Sequence, residues 1–155
     1  MPQGNVKTSE IKKILILRFS SLGDIVMVTA MIRCLRKAYP ESQIDMVVRG
    51  DFYDLIKYNP HLNAKIAFGR KAGLVGLFRL IRELNHRQYD LVYDVHRSLR
   101  TRLMLPWIGS RYKITLKKPY LRRALAMTFK WKSLIAKEGR LLERCIGPLQ
   151  RFGVA

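Results

Sequence analysis

The sequence predicts an α/β fold, a parallel sheet with helices on both of its faces. The first indication is the unbroken apolar run of residues 14–17, which is too short for a helix and is typical of a strand buried on both sides. The second is the turn at residues 20–24, rich in Ser, Gly and Asp, which opens a helical pattern of apolar residues. The third is the alternation of strands and helices along the rest of the chain. Together they favour βαβ units with right-handed crossovers.

The remaining elements follow the same alternation. Further strands are predicted at residues 43–49, 64–68, 89–95 and 112–116. The first helix carries apolar residues at helical spacing, among them Val26, Met27, Met31 and Cys34. Longer helices are predicted at residues 73–86 and 141–152, a short helix at residues 52–56, and another from the spacing of Leu99, Leu103 and Trp107.

Residues 120–135 are a basic amphipathic segment that contains Phe129 and Trp131. Basic residues beside aromatic side chains suit a helix that lies at a membrane interface. A helix that packs its apolar face on the sheet and leaves its basic residues in solvent fits the pattern equally well.

The charge of the chain points to an anionic partner. The formal net charge is +19, with 15 basic and 9 acidic residues in residues 1–96 but 15 and 2 in residues 97–155. Such a balance is typical of proteins that meet nucleic acid, an anionic membrane surface or a phosphorylated substrate. No helix-turn-helix, RRM, KH or zinc-finger pattern is visible, which disfavours nucleic acid.

The length predicts one domain, at residues 13–155, behind a polar N-terminal extension of residues 1–12. Neither a signal peptide nor an apolar run of roughly 20 residues is visible, so we expect a cytoplasmic protein, with attachment to a membrane surface still open. Cys34 and Cys145 both fall on apolar helix faces, which predicts two small buried thiols and no disulfide framework.

The loop after the first strand contains the first candidate site. It has neither the glycine pattern of dinucleotide binders nor that of a P-loop. Its spacing approximates a capping box, in which Ser21 caps the helix and Asp24 reaches back. In the functional alternative, Ser20, Ser21 and the N–H groups of the turn beside Gly23 bind a polar ligand. Asp24 then takes a proton from a substrate hydroxyl as a general base.

The loop after the strand at residues 89–95 contains the second candidate site. His96, Arg97 and Arg100 form an anion site in the functional interpretation, because arginine forks match carboxylate and phosphate groups. The alternative is a solvated helix start with scattered basic residues. No second histidine stands at ligand spacing from His96, so we predict no metal.

Three blocks of sequence, in this order, resemble one known family. They are ILILRFSSLGDIV at residues 14–26, LRKAYP at 35–40 and YDLVYD at 89–94. They resemble the ADP-heptose:lipopolysaccharide heptosyltransferases of glycosyltransferase family 9, and the similarity extends to ERCIGPLQRFG at residues 143–153.

The resemblance implies a GT-B architecture of two Rossmann-like halves with the active site between them. The N-terminal half, which this chain resembles, binds a phosphorylated sugar-lipid of the lipopolysaccharide inner core. The C-terminal half binds the nucleotide-sugar donor, ADP-heptose. The reaction inverts the anomeric centre by direct attack, without a metal or another cofactor. The resemblance makes Asp24 the general base, places Ser20, Ser21 and Gly23 beside it, and turns the loop of His96 and Arg97 toward the acceptor.

Two departures from the family bear on function. The donor-binding half is absent from this sequence, so we do not expect the chain alone to transfer sugar. His96-Arg97 stands where members often carry a more neutral pair, which favours a more anionic acceptor. The chain is therefore predicted to be the acceptor-binding half of an inverting glycosyltransferase, with an anionic glycolipid, a membrane surface and a donor-binding half as partners. The alternative is a non-catalytic basic α/β module that binds an anionic membrane surface or nucleic acid.

Overall fold

The protein contains one parallel sheet of five strands in the order β3-β2-β1-β4-β5. Its computed structural model describes residues 10–116 and 141–154. The strands are β1 (Lys13–Leu17), β2 (Gln43–Arg49), β3 (Lys65–Phe68), β4 (Tyr89–Asp94) and β5 (Ser110–Thr115). The helices are α1 (Leu22–Ala38), α2 (Gly73–Arg87), α3 (Leu99–Met104) and α4 (Leu141–Ile146), with 3-10 helices at Gly50–Leu55, Leu105–Trp107 and Gly147–Phe152.

The central strand β1 is buried on both faces, and its side chains alternate between two apolar layers. Ile14 and Ile16 pack in the layer that contains α1 and α4. Leu15 and Leu17 pack in the opposite layer, with α2 and α3. All four side chains have no exposed surface. This is why an apolar run without polar alternation forms the central strand of a parallel sheet.

The last described residues, 141–154, pack against the layer that contains α1. The hydroxyl of Tyr93 donates a hydrogen bond to the carbonyl of Cys145 over 2.8 Å, and the hydroxyl of Tyr39 donates to the carbonyl of Phe152. The final 3-10 helix stops at Gly153, whose φ of 78° is a left-handed conformation that glycine adopts without steric cost. Two buried tyrosines therefore fix the last helical segment, Tyr93 to the sheet and Tyr39 to the end of α1.

The predicted fold class is confirmed, since helices cover both faces of a parallel sheet. Each strand was predicted to within one or two residues of its observed bounds. The segment at residues 120–135 lies outside the described residues. Ile11 is buried and the hydroxyl of Ser42 donates to its carbonyl over 2.6 Å, so packing begins before β1.

One predicted apolar face, that of α3, is wrong, and another, that of α1, is only partly right. Leu99, Leu103 and Trp107, from which α3 was predicted, are 78%, 61% and 68% exposed. The residues that α3 and its extension bury are Thr101, Met104 and Ile108. In α1, Val26 and Met27 are likewise exposed, and the buried residues are Ile25, Val28, Met31, Ile32 and Leu35. Spacing alone does not decide between two apolar stripes on one helix, because only the packing partner distinguishes them.

The prediction for the cysteines is half right. Cys145 is buried, whereas Cys34 is only partly buried at the edge of the α1 layer. Both are free thiols. None of the helices in residues 10–116 and 141–154 has the length and apolarity needed to cross a bilayer.

The Asp90 carboxylate ties the start of β1 to β4, and its removal should destabilise the fold. Its Oδ2 atom accepts hydrogen bonds from the backbone N–H groups of Lys12 (2.8 Å) and Lys13 (2.9 Å). We expect Asp90→Ala to lower the free energy of unfolding by about 1–3 kcal/mol, because two N–H groups lose a charged acceptor. Urea denaturation measures the change. Asp54→Ala is the control, since Asp54 is exposed and has no hydrogen bond within the described part of the chain. Equal stability of the two variants would contradict this account.

Candidate active site

The candidate site lies at the carboxyl edge of the sheet, between β1 and β4. These two strands are neighbours, but the chain leaves β1 toward β2 on one side and leaves β4 toward β5 on the other. The loops after the two strands therefore diverge and leave a crevice between them. In open α/β sheets, ligands bind at such a topological switch point.

Arg18 joins the two loops that border the crevice. It follows β1 directly and is only 2% exposed. Its Nη1 atom donates to the carbonyl of Val95, after β4, over 2.7 Å, and its Nη2 atom forms an ion pair with Oδ2 of Asp24. Burial lowers the pKa of the Arg18 guanidinium from its ordinary value and the charge of Asp24 opposes that shift, so the group remains a cation at neutral pH.

Asp24 presents a fixed carboxylate at the mouth of the crevice. Its side chain is 39% exposed, in the first turn of α1. Besides the ion pair with Arg18, Oδ2 accepts a hydrogen bond from the hydroxyl of Ser21 over 3.1 Å. Within the described part of the chain both contacts use Oδ2, which leaves Oδ1 available for a hydrogen bond from a ligand.

The predicted capping box is wrong. Ser21 occupies the N-cap position of α1, but its side chain accepts no hydrogen bond from the helix and donates to Asp24 instead. A capping box does form at α3, where the Ser98 hydroxyl accepts from the N–H of Thr101 and the Thr101 hydroxyl accepts from the N–H of Ser98. The Ser-x-x-Asp spacing at α1 therefore orients the carboxylate and does not cap the helix.

The other residues predicted in the first loop lie beside Asp24. Ser20 is partly buried and its hydroxyl makes no hydrogen bond within residues 10–116 and 141–154. Gly23 is exposed, and a Cβ atom added to it would have no described atom within 4 Å. No described neighbour requires glycine there, while glycine in a helix costs about 1 kcal/mol relative to alanine. The position leaves room for a ligand to approach the first turn of α1.

The second loop is held by Asp94, the last residue of β4. Its Oδ1 atom accepts from the N–H groups of His96 (3.0 Å) and Arg97 (2.8 Å), which closes a tight turn. Arg97 has a φ of 52°, a left-handed conformation that costs a non-glycine residue about 1–2 kcal/mol. The two hydrogen bonds to Asp94 hold the turn in spite of this cost, and such strain is typical of functional loops.

Two aromatic rings position Arg100. Phe19 and Phe68 stack edge to face, with their centroids 5.4 Å apart. The Arg100 guanidinium lies over both rings, 5.9 Å from the Phe19 centroid and 5.1 Å from that of Phe68, and the His96 ring meets Phe19 at 6.0 Å. Cation–π attraction thus holds an exposed arginine at the same edge as the Asp24 loop.

The edge as a whole is rich in cations. Arg49, at the end of β2, forms an ion pair with Asp51 (3.0 Å), and Arg70, after β3, lies 3.9 Å from the same carboxylate. Arg18 after β1 and Arg100 after β4 lie at the same edge. Each of the first four strands is therefore ended or followed by an arginine. In the described part of the chain no three His, Cys, Asp or Glu side chains come together. The absence of a metal in the reaction stays a prediction.

Sequence reasoning missed Arg18, Phe19 and Phe68. A cation directly after an apolar strand, six residues before an acid, was the available signal for Arg18. The contacts of Phe19 and Phe68 join residues 49 positions apart, which no local pattern reveals. The predicted residues Ser20, Ser21, Gly23, Asp24, His96, Arg97 and Arg100 all lie on the two loops or helix starts at this edge.

Curated proteins of similar sequence are lipopolysaccharide heptosyltransferases. Lipopolysaccharide heptosyltransferase 3 of Escherichia coli is 26% identical over 98 residues, which are 60% of this chain and 29% of that protein. Lipopolysaccharide core heptosyltransferase OpsX of Haemophilus influenzae is 24% identical over 103 residues, 66% of this chain and 29% of that protein. No family model matches the sequence.

Solved structures of similar fold come from the same group of enzymes. A glycosyl transferase family 9 protein from Veillonella parvula superposes with a TM-score of 0.73 at 23% identity, over 93% of this chain and 42% of that one. The E. coli heptosyltransferase WaaC with ADP gives 0.68 at 16% identity, over 92% of this chain and 48% of that one. The resemblance to glycosyltransferase family 9 is confirmed. The α/β fold is that of Rossmann-like proteins.

The chain matches only part of each family 9 relative. The aligned residues span less than a third of the curated heptosyltransferases and less than half of the solved ones. For this chain, the activity of those whole enzymes is therefore a proposal.

Arg18→Met should loosen the site and lower stability, because Val95 and Asp24 would lose a charged donor. We expect the free energy of unfolding to fall by about 2–4 kcal/mol. Arg18→Lys should recover only part of the loss, since an ammonium group does not span both acceptors as the guanidinium fork does. Chemical denaturation measures both, with Arg33→Met as the control for an exposed arginine on α1. If Arg18→Met cost no more than Arg33→Met, Arg18 would not tie the loops together.

Proposed function

We propose that this chain is the acceptor-binding half of an inverting glycosyltransferase that adds heptose, or a related sugar, to the lipopolysaccharide inner core. The donor is a nucleotide sugar, ADP-heptose in the first instance. The observation that carries the proposal is the Asp24 carboxylate, held by Arg18 and Ser21 at the switch point of the sheet with one oxygen left to accept a proton. The similarity to lipopolysaccharide heptosyltransferases supports the substrate class.

Asp24 is the general base in this proposal. An acceptor hydroxyl attacks the anomeric carbon of the donor from the face opposite the nucleotide, so the configuration inverts. The bond from the anomeric carbon to the diphosphate breaks as the bond to the acceptor oxygen forms, and the hydroxyl proton passes to Asp24. The ion pair with Arg18 fixes the position of the carboxylate, which matters because a base acts only within hydrogen-bond reach of the proton.

The cationic edge suits an acceptor that carries phosphate or carboxylate groups. Arg97 stands in a fixed turn and Arg100 lies over two rings, so less rotational freedom is lost when either meets an anion. Guanidinium groups form paired hydrogen bonds with both kinds of anion. By the resemblance to the family, the pair His96-Arg97 carries an extra cation, Arg97, where members often have a more neutral pair, which favours a more anionic acceptor.

The donor is bound by a second half that closes over this edge in a GT-B enzyme. Asp24, at the edge between β1 and β4, is more than one-third exposed in the described structure. A partner half would exclude water from this carboxylate and bring the anomeric carbon to the acceptor hydroxyl.

Asp24→Asn separates catalysis from acceptor binding, once chemical denaturation has shown that the variant, which loses the ion pair with Arg18, is still folded under the assay conditions. With a donor-binding half supplied, either as the continuation of the reading frame or as a fusion to that of an E. coli heptosyltransferase, we expect kcat to fall by roughly 10²–10⁴. Acceptor binding to the chain alone, measured by calorimetry with a deacylated inner-core oligosaccharide, should change by less than about threefold, because the amide keeps the shape of the side chain. Arg97→Gln with Arg100→Gln should weaken that binding by roughly tenfold or more.

Turnover and acceptor binding test the base and the acceptor site separately. Turnover that survives Asp24→Asn within a factor of about ten would remove Asp24 as the base. An oligosaccharide that does not bind the wild-type chain would overturn the acceptor-binding assignment. Arg33→Gln with Lys37→Gln on α1 controls for the simple loss of positive charge.

A further inference from the structure

The outer surface of α2 and α3 exposes a concentration of apolar side chains. Eleven large apolar residues are exposed in the described part of the chain, and six of them lie on α2, on α3 or on the 3-10 helix that extends α3. We call this surface the α2/α3 face. Its six apolar residues, each at least 61% exposed, are Leu74, Val75, Phe78, Leu99, Leu103 and Trp107.

Helical spacing and one shared groove relate these residues. Leu74 and Phe78 are four positions apart on α2, and Leu99, Leu103 and Trp107 follow the same spacing, so each set lies along one helix face. Phe78 and Trp107 line opposite sides of one groove of about 410 Å³ between the two helical segments. Asn85 bridges the segments, since its amide donates to the carbonyl of Trp107 (2.9 Å) and accepts from the N–H of Gly109 (2.7 Å).

Positive charge surrounds the apolar residues. Arg79 and Arg82 on α2 and Arg102 on α3 are exposed, and none of them has an ion pair among the described residues. The acidic residue of these helices, Glu83, is paired with Arg87 at 2.8 Å. Apolar and aromatic side chains among unpaired arginines are the composition of a surface that lies in the interface of an anionic membrane.

Charge argues against two other occupants of this surface. A second copy of the chain would bring the same three unpaired arginines against these three. Residues 117–140, which lie outside the described part of the chain, carry eight basic residues and one acidic residue, so this segment would also bring like charge. Like charges brought together at an interface oppose association. An anionic surface complements both the charge and the exposed apolar groups.

We propose that the α2/α3 face docks the protein on an anionic phospholipid surface, with Phe78 and Trp107 entering the headgroup region and the arginines meeting lipid phosphates. The face belongs to the layer opposite α1, and α3 begins in the loop of His96 and Arg97. A membrane bound there would border the cationic edge of the sheet. This goes beyond the proposed glycosyl transfer, and its test measures membrane binding without any reaction.

The first experiment measures co-sedimentation of the full chain with vesicles. The vesicles are phosphatidylcholine alone or phosphatidylcholine with about one quarter phosphatidylglycerol. We expect binding to the anionic vesicles only, weakening steeply as salt is raised. Phe78→Ser with Trp107→Ser should weaken binding about tenfold or more, because the apolar contacts are lost. Arg82→Gln with Arg102→Gln should weaken it by roughly fivefold per charge removed.

Matched controls come from the opposite layer. Tyr58→Ser removes an aromatic side chain that is 83% exposed, and Arg33→Gln with Lys37→Gln removes two exposed charges from α1. Tyr58→Ser should bind anionic vesicles within a factor of about two of the wild type. Arg33→Gln with Lys37→Gln should lose less binding than Arg82→Gln with Arg102→Gln. If the variants of the α2/α3 face and the control variants lost vesicle binding equally, binding would not depend on this face, and its assignment would be overturned.

The second experiment places Trp107 directly. The chain has two tryptophans, so Trp131→Phe leaves Trp107 as the only one. Its fluorescence should shift to the blue on anionic vesicles and be quenched by brominated acyl chains. Unchanged fluorescence of bound protein would overturn the proposal. So would sedimentation showing a stable oligomer that Phe78→Ser with Trp107→Ser dissociates, since the face would then bind a second copy.

Discussion

The buried guanidinium of Arg18 is the interaction on which the site depends. Cations are rarely buried in proteins unless they are paired and hydrogen-bonded. The Nη1 and Nη2 atoms of Arg18 satisfy that requirement with the Val95 carbonyl and the Asp24 carboxylate, while its buried Nε has no hydrogen-bond partner among the described residues. Its two partners come from two different loops, so one side chain sets the width of the crevice and the position of the carboxylate together. A shift of the Val95 carbonyl, in the loop after β4, would therefore move Arg18 and with it the Asp24 carboxylate.

This arrangement explains why a short polar sequence behaves differently at α1 and α3. Ser98 and Thr101 exchange hydrogen bonds with the backbone and start a six-residue helix. At α1 the equivalent residue, Ser21, donates its hydroxyl hydrogen bond to Asp24, whose carboxylate also pairs with Arg18. The 17-residue helix begins without a side-chain cap, and packing of Ile25, Val28 and Ile32 against the sheet sustains it. The local preference yields to the tertiary ion pair.

Charge in this protein is spread over two adjoining surfaces. The carboxyl edge of the sheet holds arginines in defined positions, by ion pairs with Asp24 and Asp51 and by stacking on Phe19 and Phe68. The α2/α3 face presents unpaired arginines among exposed apolar side chains. The first suits recognition of a particular anionic group, since fixed guanidinium forks give direction. The second suits attachment to an extended anionic surface, where position matters less than the sum of contacts.

The sequence by itself determined the strands, the alternation with helices and the edge at which polar residues gather, because a strand buried on both faces needs an unbroken apolar run and its loop follows directly in the chain. It also placed Asp24 and Arg97 on loops at that edge. Tertiary structure alone decided that Ser21 does not cap α1, that Arg18 pairs with Asp24 across two loops, and that Phe68 supports Arg100. It likewise decided which stripe of α3 is buried, since Met104 and Leu103 are equally apolar and differ only in the surface that they meet. Local periodicity carries no information on a partner that lies many residues away.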